Sequence, residues 1–121
     1  MQVRPSTASF VLILSSAGVV IGLAACRALP PSKPSSQWTS QEARGAAVFQ
    51  ANCARCHYPT TTRPLHGPGL QAITKVKAMP SGAPPTDDRL TSVILHGRNM
   101  MPATPMTNDQ LQNLLAYLHT L

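Results

Sequence analysis

The stretch Cys53-Ala54-Arg55-Cys56-His57 constrains this chain more than any other. Two thiols three residues apart, followed at once by an imidazole, have the C-x-x-C-H form at which a c-type haem is attached. The chemistry needs these residue types at this spacing. One short turn must bond the porphyrin edge twice through thioethers and aim a nitrogen at its centre. Other uses of a cysteine pair fit less well. A zinc site needs a second Cys/His pair, and no further C-x-x-C exists in the chain. A thioredoxin-like dithiol belongs beside a βαβ pattern, and none is visible. Cys53 and Cys56 are therefore the expected covalent attachment points of one haem c, with His57 as an iron ligand.

Size agrees with that reading. The chain has 121 residues with twelve prolines, two phenylalanines and one tryptophan, which leaves little aromatic material for a core. A domain of about 80 residues is marginal on its own apolar burial, and a bound haem would supply an apolar centre. The formal net charge is +6. A basic surface of this kind steers docking toward an acidic partner. It does not suggest nucleic-acid binding, because the basic residues are scattered and lack interleaved aromatics.

The third cysteine, Cys26, needs its own explanation. Ala8 to Ala25 runs without a charged side chain as ASFVLILSSAGVVIGLAA, ends in small residues and is followed by Cys26. This has the form of a secretory leader. Leu23-Ala24-Ala25-Cys26 resembles the lipobox of bacterial lipoproteins, which implies cleavage before Cys26 and acylation of that residue. An uncleaved anchor is the alternative, since 18 apolar residues are just long enough to span a bilayer; a secreted protein cut near the same place is the third. Residues 1–25 are thus expected to be a signal peptide and 26–38 a lipid-anchored linker. The linker carries Pro30, Pro31, Pro34 and several serines, a composition that opposes helix and strand and suits an exposed spacer of about 35 Å.

Residues 39–121 hold the domain. Thr39-Ser40-Gln41-Glu42 is a capping box, so a helix is expected from there to just before Cys53. Ala72 to Met79 is expected to form a short helix. Thr86-Asp87-Asp88 opens another helix, to His96, stopped by Gly97. Its Leu90, Val93 and Ile94 share a face expected to look toward the haem. Thr107-Asn108-Asp109-Gln110 is a second capping box, opening a helix to Thr120 with Leu111, Leu114, Leu115 and Leu118 on one side.

Gly45-x-x-x-Phe49-x-x-x-Cys53-x-x-Cys56-His57 resembles the N-terminal helix and haem site of class I cytochromes c. The resemblance runs from about residue 40 to the C-terminus. It implies an all-α fold whose N- and C-terminal helices cross near Gly45, Phe49, Tyr117 and Leu118, with the haem at the centre. Gly67-Pro68-Gly69-Leu70 is similar to the family's Gly-Pro-x-Leu segment. That similarity implies that the Pro68 carbonyl orients His57 and that Leu70 packs on the haem, the outer-shell support a ligating histidine needs. Met101-Pro102 is similar to the family's sixth-ligand loop, which implies Met101 as the second axial ligand, with Met100 as the alternative and Met106 a further competitor. His66, His96 and His119 are the other candidates.

The function so implied is a membrane-tethered single-electron carrier of the bacterial cell envelope, facing the periplasm or extracytoplasmic side, and not an enzyme. Its expected partners are a membrane dehydrogenase or bc-type complex on one side and a terminal oxidase or reductase on the other. The rivals are a five-coordinate haem enzyme or gas-ligand sensor, and a fixed haem subunit of a larger oxidoreductase.

Overall fold

A computed structural model describes residues 28–121. The expected signal peptide and the lipidation site Cys26 lie outside the described residues. Three helices make up the frame: α1 (Ser40–Asn52), α2 (Asp87–His96) and α3 (Asn108–Leu118). None of the helices among the described residues is long and apolar enough to cross a membrane.

Each helix starts where its side chains satisfy the free amides of the first turn. Thr39 Oγ1 accepts from the Glu42 amide while the Glu42 carboxylate accepts from the Thr39 amide. Thr107 and Gln110 repeat this reciprocal cap on α3. Thr86 caps α2, with Asp87 and Asp88 in its first turn where the helix dipole favours negative charge. Caps of this kind contribute about 1 kcal/mol each. The last helix ends at Leu118, two residues before the expected Thr120, and a tight turn carries the chain to Leu121.

The core forms where α1 and α3 cross. A side chain at Gly45 would place its Cβ 1.9 Å from the Asn113 carbonyl oxygen and 2.7 Å from Tyr117 Cβ, so only glycine lets the two backbones approach this closely. One turn on, Phe49 is fully buried, with its ring 5.3 Å from that of Tyr117. Leu111, Leu114, Leu115 and Leu118 complete the α3 side, and α2 adds Leu90 and Ile94. Val93, expected to share the latter pair's face, is only half-buried.

Two expectations fail. Residues 72–79 form a run of turns instead of a short helix: Ala72 takes a left-handed conformation (φ 55°) and is fully buried, which breaks helical continuity at its first residue. The expected spacer is also not free along its length. A 3₁₀ turn spans Ser35–Gln37, the Lys33 amide donates to the Thr120 carbonyl (2.6 Å), and Trp38 packs edge-on against Tyr117. Composition argued for an unattached segment, but one lysine and one tryptophan supply enough contacts to hold it.

Candidate haem site

The motif sits at the end of α1. Cys53 is the C-cap, and its carbonyl accepts from the amides of Cys56 (2.9 Å) and His57 (3.0 Å), which folds Cys53–His57 into one tight turn. Both cysteines are free and half-buried. Burial, and then the neighbouring Cys56 sulfur, push the Cys53 thiol up to about 11. A redox-active C-x-x-C needs the opposite, a thiol whose pKa is lowered. Zinc fares no better, since no group of three or more His, Cys, Asp or Glu side chains gathers among the described residues.

His57 is held on two sides. Its Nδ1 lies 2.8 Å from the Pro68 carbonyl oxygen. A carbonyl can only accept, so Nδ1 carries the proton and Nε2 keeps its lone pair for a metal. Gly67 lies against the ring: a Cβ there would sit 2.4 Å from Cε1 and within 3.0 Å of both nitrogens. The loop that delivers Gly67 and Pro68 is cross-tied, with the Gly67 amide donating to the Cys56 carbonyl (2.8 Å) and the Leu70 amide to the Tyr58 carbonyl (2.9 Å). Leu70 itself is half-buried against the core, as are Ile73 and Met79.

The methionine loop follows α2. Arg98 and Met101 exchange both backbone hydrogen bonds (2.9 Å each) around Asn99, which takes a left-handed φ of 52°. Asparagine tolerates that conformation better than most residues. The turn separates the two adjacent methionines: Met100 is 93% exposed, whereas Met101 is half-buried and packs against the core. Met106 also packs there. Of the remaining histidines, His96 is exposed with its Nδ1 donating to the Ser92 carbonyl of its own helix (3.0 Å). His119 is exposed with Nε2 2.8 Å from Asp87 Oδ1, and His66 is exposed in the loop after the motif.

The residues present fit a haem. Two unpaired thiols and an imidazole with one nitrogen already bonded come from one turn, while Leu70, Ile73, Met79 and Met101 pack half-buried against the core. Fold and site together define a small c-type cytochrome domain. The chain belongs to the family described as cytochrome c oxidase, cbb3-type, subunit III, whose model matches residues 40–118. It is similar to cytochromes c6 of Parathermosynechococcus lividus and Synechococcus elongatus, at 32% identity over 78 residues, covering 63% of this chain and 85% of each relative. A cytochrome c6 of Thermosynechococcus vestitus matches at the same identity over 66% of its length. Membership gives the chain a haem-based electron-transfer role, and it is a carrier rather than an enzyme.

Proposed function

We propose that the protein is a one-electron carrier with haem c bound through Cys53 and Cys56, His57 Nε2 as one axial ligand and the Met101 thioether as the other. The hydrogen bond from His57 Nδ1 to the Pro68 carbonyl carries this reading, because it fixes the tautomer and leaves Nε2 as a ligand. When bound, the haem supplies a one-electron iron couple whose potential is raised by His/Met relative to two nitrogen ligands. Gly67 and Pro68 hold the imidazole ring in one orientation. The Arg98–Met101 turn keeps Met101 against the core and directs Met100 to solvent, which supports Met101 over its neighbour. Leu70 supplies apolar contact on the His57 side and helps exclude water. With His57 and Met101 both holding the iron, no position would be left for substrate, in keeping with a carrier.

The site of action we infer is the extracytoplasmic side of a bacterial membrane, with the leader cleaved before Cys26 and that cysteine lipidated. The partners are protein redox centres, a membrane dehydrogenase or bc-type complex as donor and a terminal oxidase or reductase as acceptor. The family description, an oxidase subunit, favours a second reading, a haem subunit fixed within a larger oxidoreductase. Co-purification in mild detergent separates the two: a carrier elutes alone.

An optical spectrum tests the ligand set. The oxidised protein should show a methionine–iron charge-transfer band, and Met101→Ala should abolish it while Met100→Ala and Met106→Ala leave it in place. A high-spin spectrum with rapid CO binding in the reduced wild-type protein would sink the carrier reading.

A further inference from the structure

The segment before α1 lies outside the stretch matched by the family model, which begins at residue 40, yet it is fastened to the domain at four points. The Lys33 amide donates to the Thr120 carbonyl just past α3 (2.6 Å). The Lys33 ammonium reaches both oxygens of the Glu42 carboxylate in α1 (2.8 and 2.9 Å). Trp38 stands edge-on to Tyr117 with ring centroids 5.3 Å apart, and its Nε1 donates back to the Lys33 carbonyl (3.1 Å), closing the segment on itself. Upstream, Gln71 Nε2 donates to the Pro30 carbonyl (3.4 Å). Ser32, Lys33 and Trp38 line one shallow hollow with Thr60, Gln71 and Tyr117.

These contacts join residues near both ends of the domain's chain, and they include a charged pair whose side chains are only 34% and 16% exposed. Lys33 and Trp38 each serve twice, Lys33 through its backbone and its ammonium, Trp38 through its ring and its N–H. A spacer meant to swing needs none of this. Proline at 30, 31 and 34 also lowers the entropy that docking must overcome, because each ring fixes φ before any contact forms.

We infer that residues 30–38 are a docked strap that fixes where the membrane tether leaves the domain, beside Thr60 and Gln71 of the loop that follows the cysteine motif, and that shortens it. The inference rests on the proposed lipid at Cys26. With the strap docked, the chain from Cys26 to its first backbone bond at Lys33 spans at most about 25 Å; freed as far as Thr39 it would span about 45 Å. The domain is therefore kept close to the bilayer with one side toward it. Its redox partner must present an electron-transfer site within that short shell, which selects a membrane-borne partner over a soluble carrier in bulk solution.

The test uses the full-length, haem-loaded protein in nanodiscs carrying a headgroup fluorophore, with hydrogen exchange read at the Lys33 amide and energy transfer read from fluorophore to haem. A docked strap slows exchange at Lys33 by about 100-fold or more over the unstructured rate. Lys33→Pro, which removes both the amide donor and the ammonium, should leave the haem spectrum unchanged and weaken the energy transfer, because the domain then stands further from the bilayer. Trp38→Ser should act in the same direction. Exchange at the unstructured rate in the wild-type protein, or equal energy transfer in wild type and both variants, would overturn the inference. The mass of the mature N-terminus keeps the two readings apart. A protected Lys33 amide on a chain without lipid removes the tether and leaves the strap, whereas an unprotected amide on a lipidated chain removes the strap and leaves the tether.

Discussion

The helix crossing and the loop half of the domain are built by different means. Around Phe49, the three helices and the turn after α3 bury nine apolar or aromatic side chains in one cluster. From Cys53 to Thr86 the described chain buries a single hydrophobic residue, Ala72. That stretch holds its shape by backbone hydrogen bonds, such as Gly67 to Cys56 and Leu70 to Tyr58, and by half-buried side chains at the edge of the core. The crossing resembles the core of any small helical protein and sets stability. The loops carry the proposed haem ligands, and their partly buried Leu70, Ile73 and Met79 lean on the edge of the core. The division explains how so small a domain can devote 34 consecutive residues to a site.

If the division holds, damage to the crossing should cost stability and spare the site. Phe49→Ala deletes the ring at the centre of the cluster, where Tyr117 and the α3 leucines cannot close the space. The expected loss is about 3–5 kcal/mol in chemical denaturation of the haem-loaded protein. In the native baseline the methionine–iron band should keep its wild-type position. A shifted band would mean that the crossing and the site are one cooperative unit and that the contrast is false.

Damage to the loop should do the reverse. The methyl group of Gly67→Ala cannot be placed without moving the His57 ring, since it would sit 2.4 Å from Cε1. The ring can give way because it is a side chain, so the cost in stability should be about 1 kcal/mol. The ligand field should change visibly, read as a weakened charge-transfer band and a shifted reduction potential. A large loss of stability with an unchanged spectrum would place Gly67 in the core's account and break the comparison from the other side.

Helix starts should fall between or below these effects. Thr107→Ala removes the side-chain oxygen that accepts from the Gln110 amide at the start of α3. It should cost about 1 kcal/mol in the same denaturation experiment, with no spectral change. A spectral change would show that the start of α3, shortly after the methionine loop, helps to position Met101.

Much of the crossing was legible in the sequence because local signals and long-range packing agree there. Both capping boxes, the Thr86 cap and the Gly97 stop mark the helices within a residue or two of where they lie. The contact of Gly45 and Phe49 with Tyr117 was implied by the resemblance to class I cytochromes c, and the structure makes it. Met101 was singled out by the likeness of Met101-Pro102, in its place along the chain, to the family's sixth-ligand loop. The opposite exposure of Met100 depends on the left-handed Asn99, which no composition predicts. Ala72 was misread for a related reason: alanine is the strongest helix former, and its buried left-handed conformation is imposed by the surrounding loop. The strap was hidden by its prolines and serines. The available signal was the chain's single tryptophan, an expensive side chain to leave in a free spacer.

The weakest fastening in this arrangement is the strap, and pH should release it before either half of the domain. A hydrogen bond from Lys33, followed by that from the Thr39 amide, holds the Glu42 carboxyl below the ordinary carboxylate value of 4.5. A carboxyl whose folded pKa is depressed contributes stability above its unfolded pKa and loses it as pH falls through the lower folded value. The ion pair is thus intact at neutral pH and is lost only as pH falls through the lowered Glu42 value, below 4.5. Glu42→Gln should mimic that loss at pH 7, because the amide oxygen can still accept from the Thr39 backbone while the charge is gone. Lys33 amide exchange should accelerate in both cases, with the global unfolding midpoint of Glu42→Gln almost unmoved at pH 7. Should the global midpoint instead drop as it does for Phe49→Ala, the strap would belong to the crossing, and the molecule would have one cooperative core reaching back to Lys33.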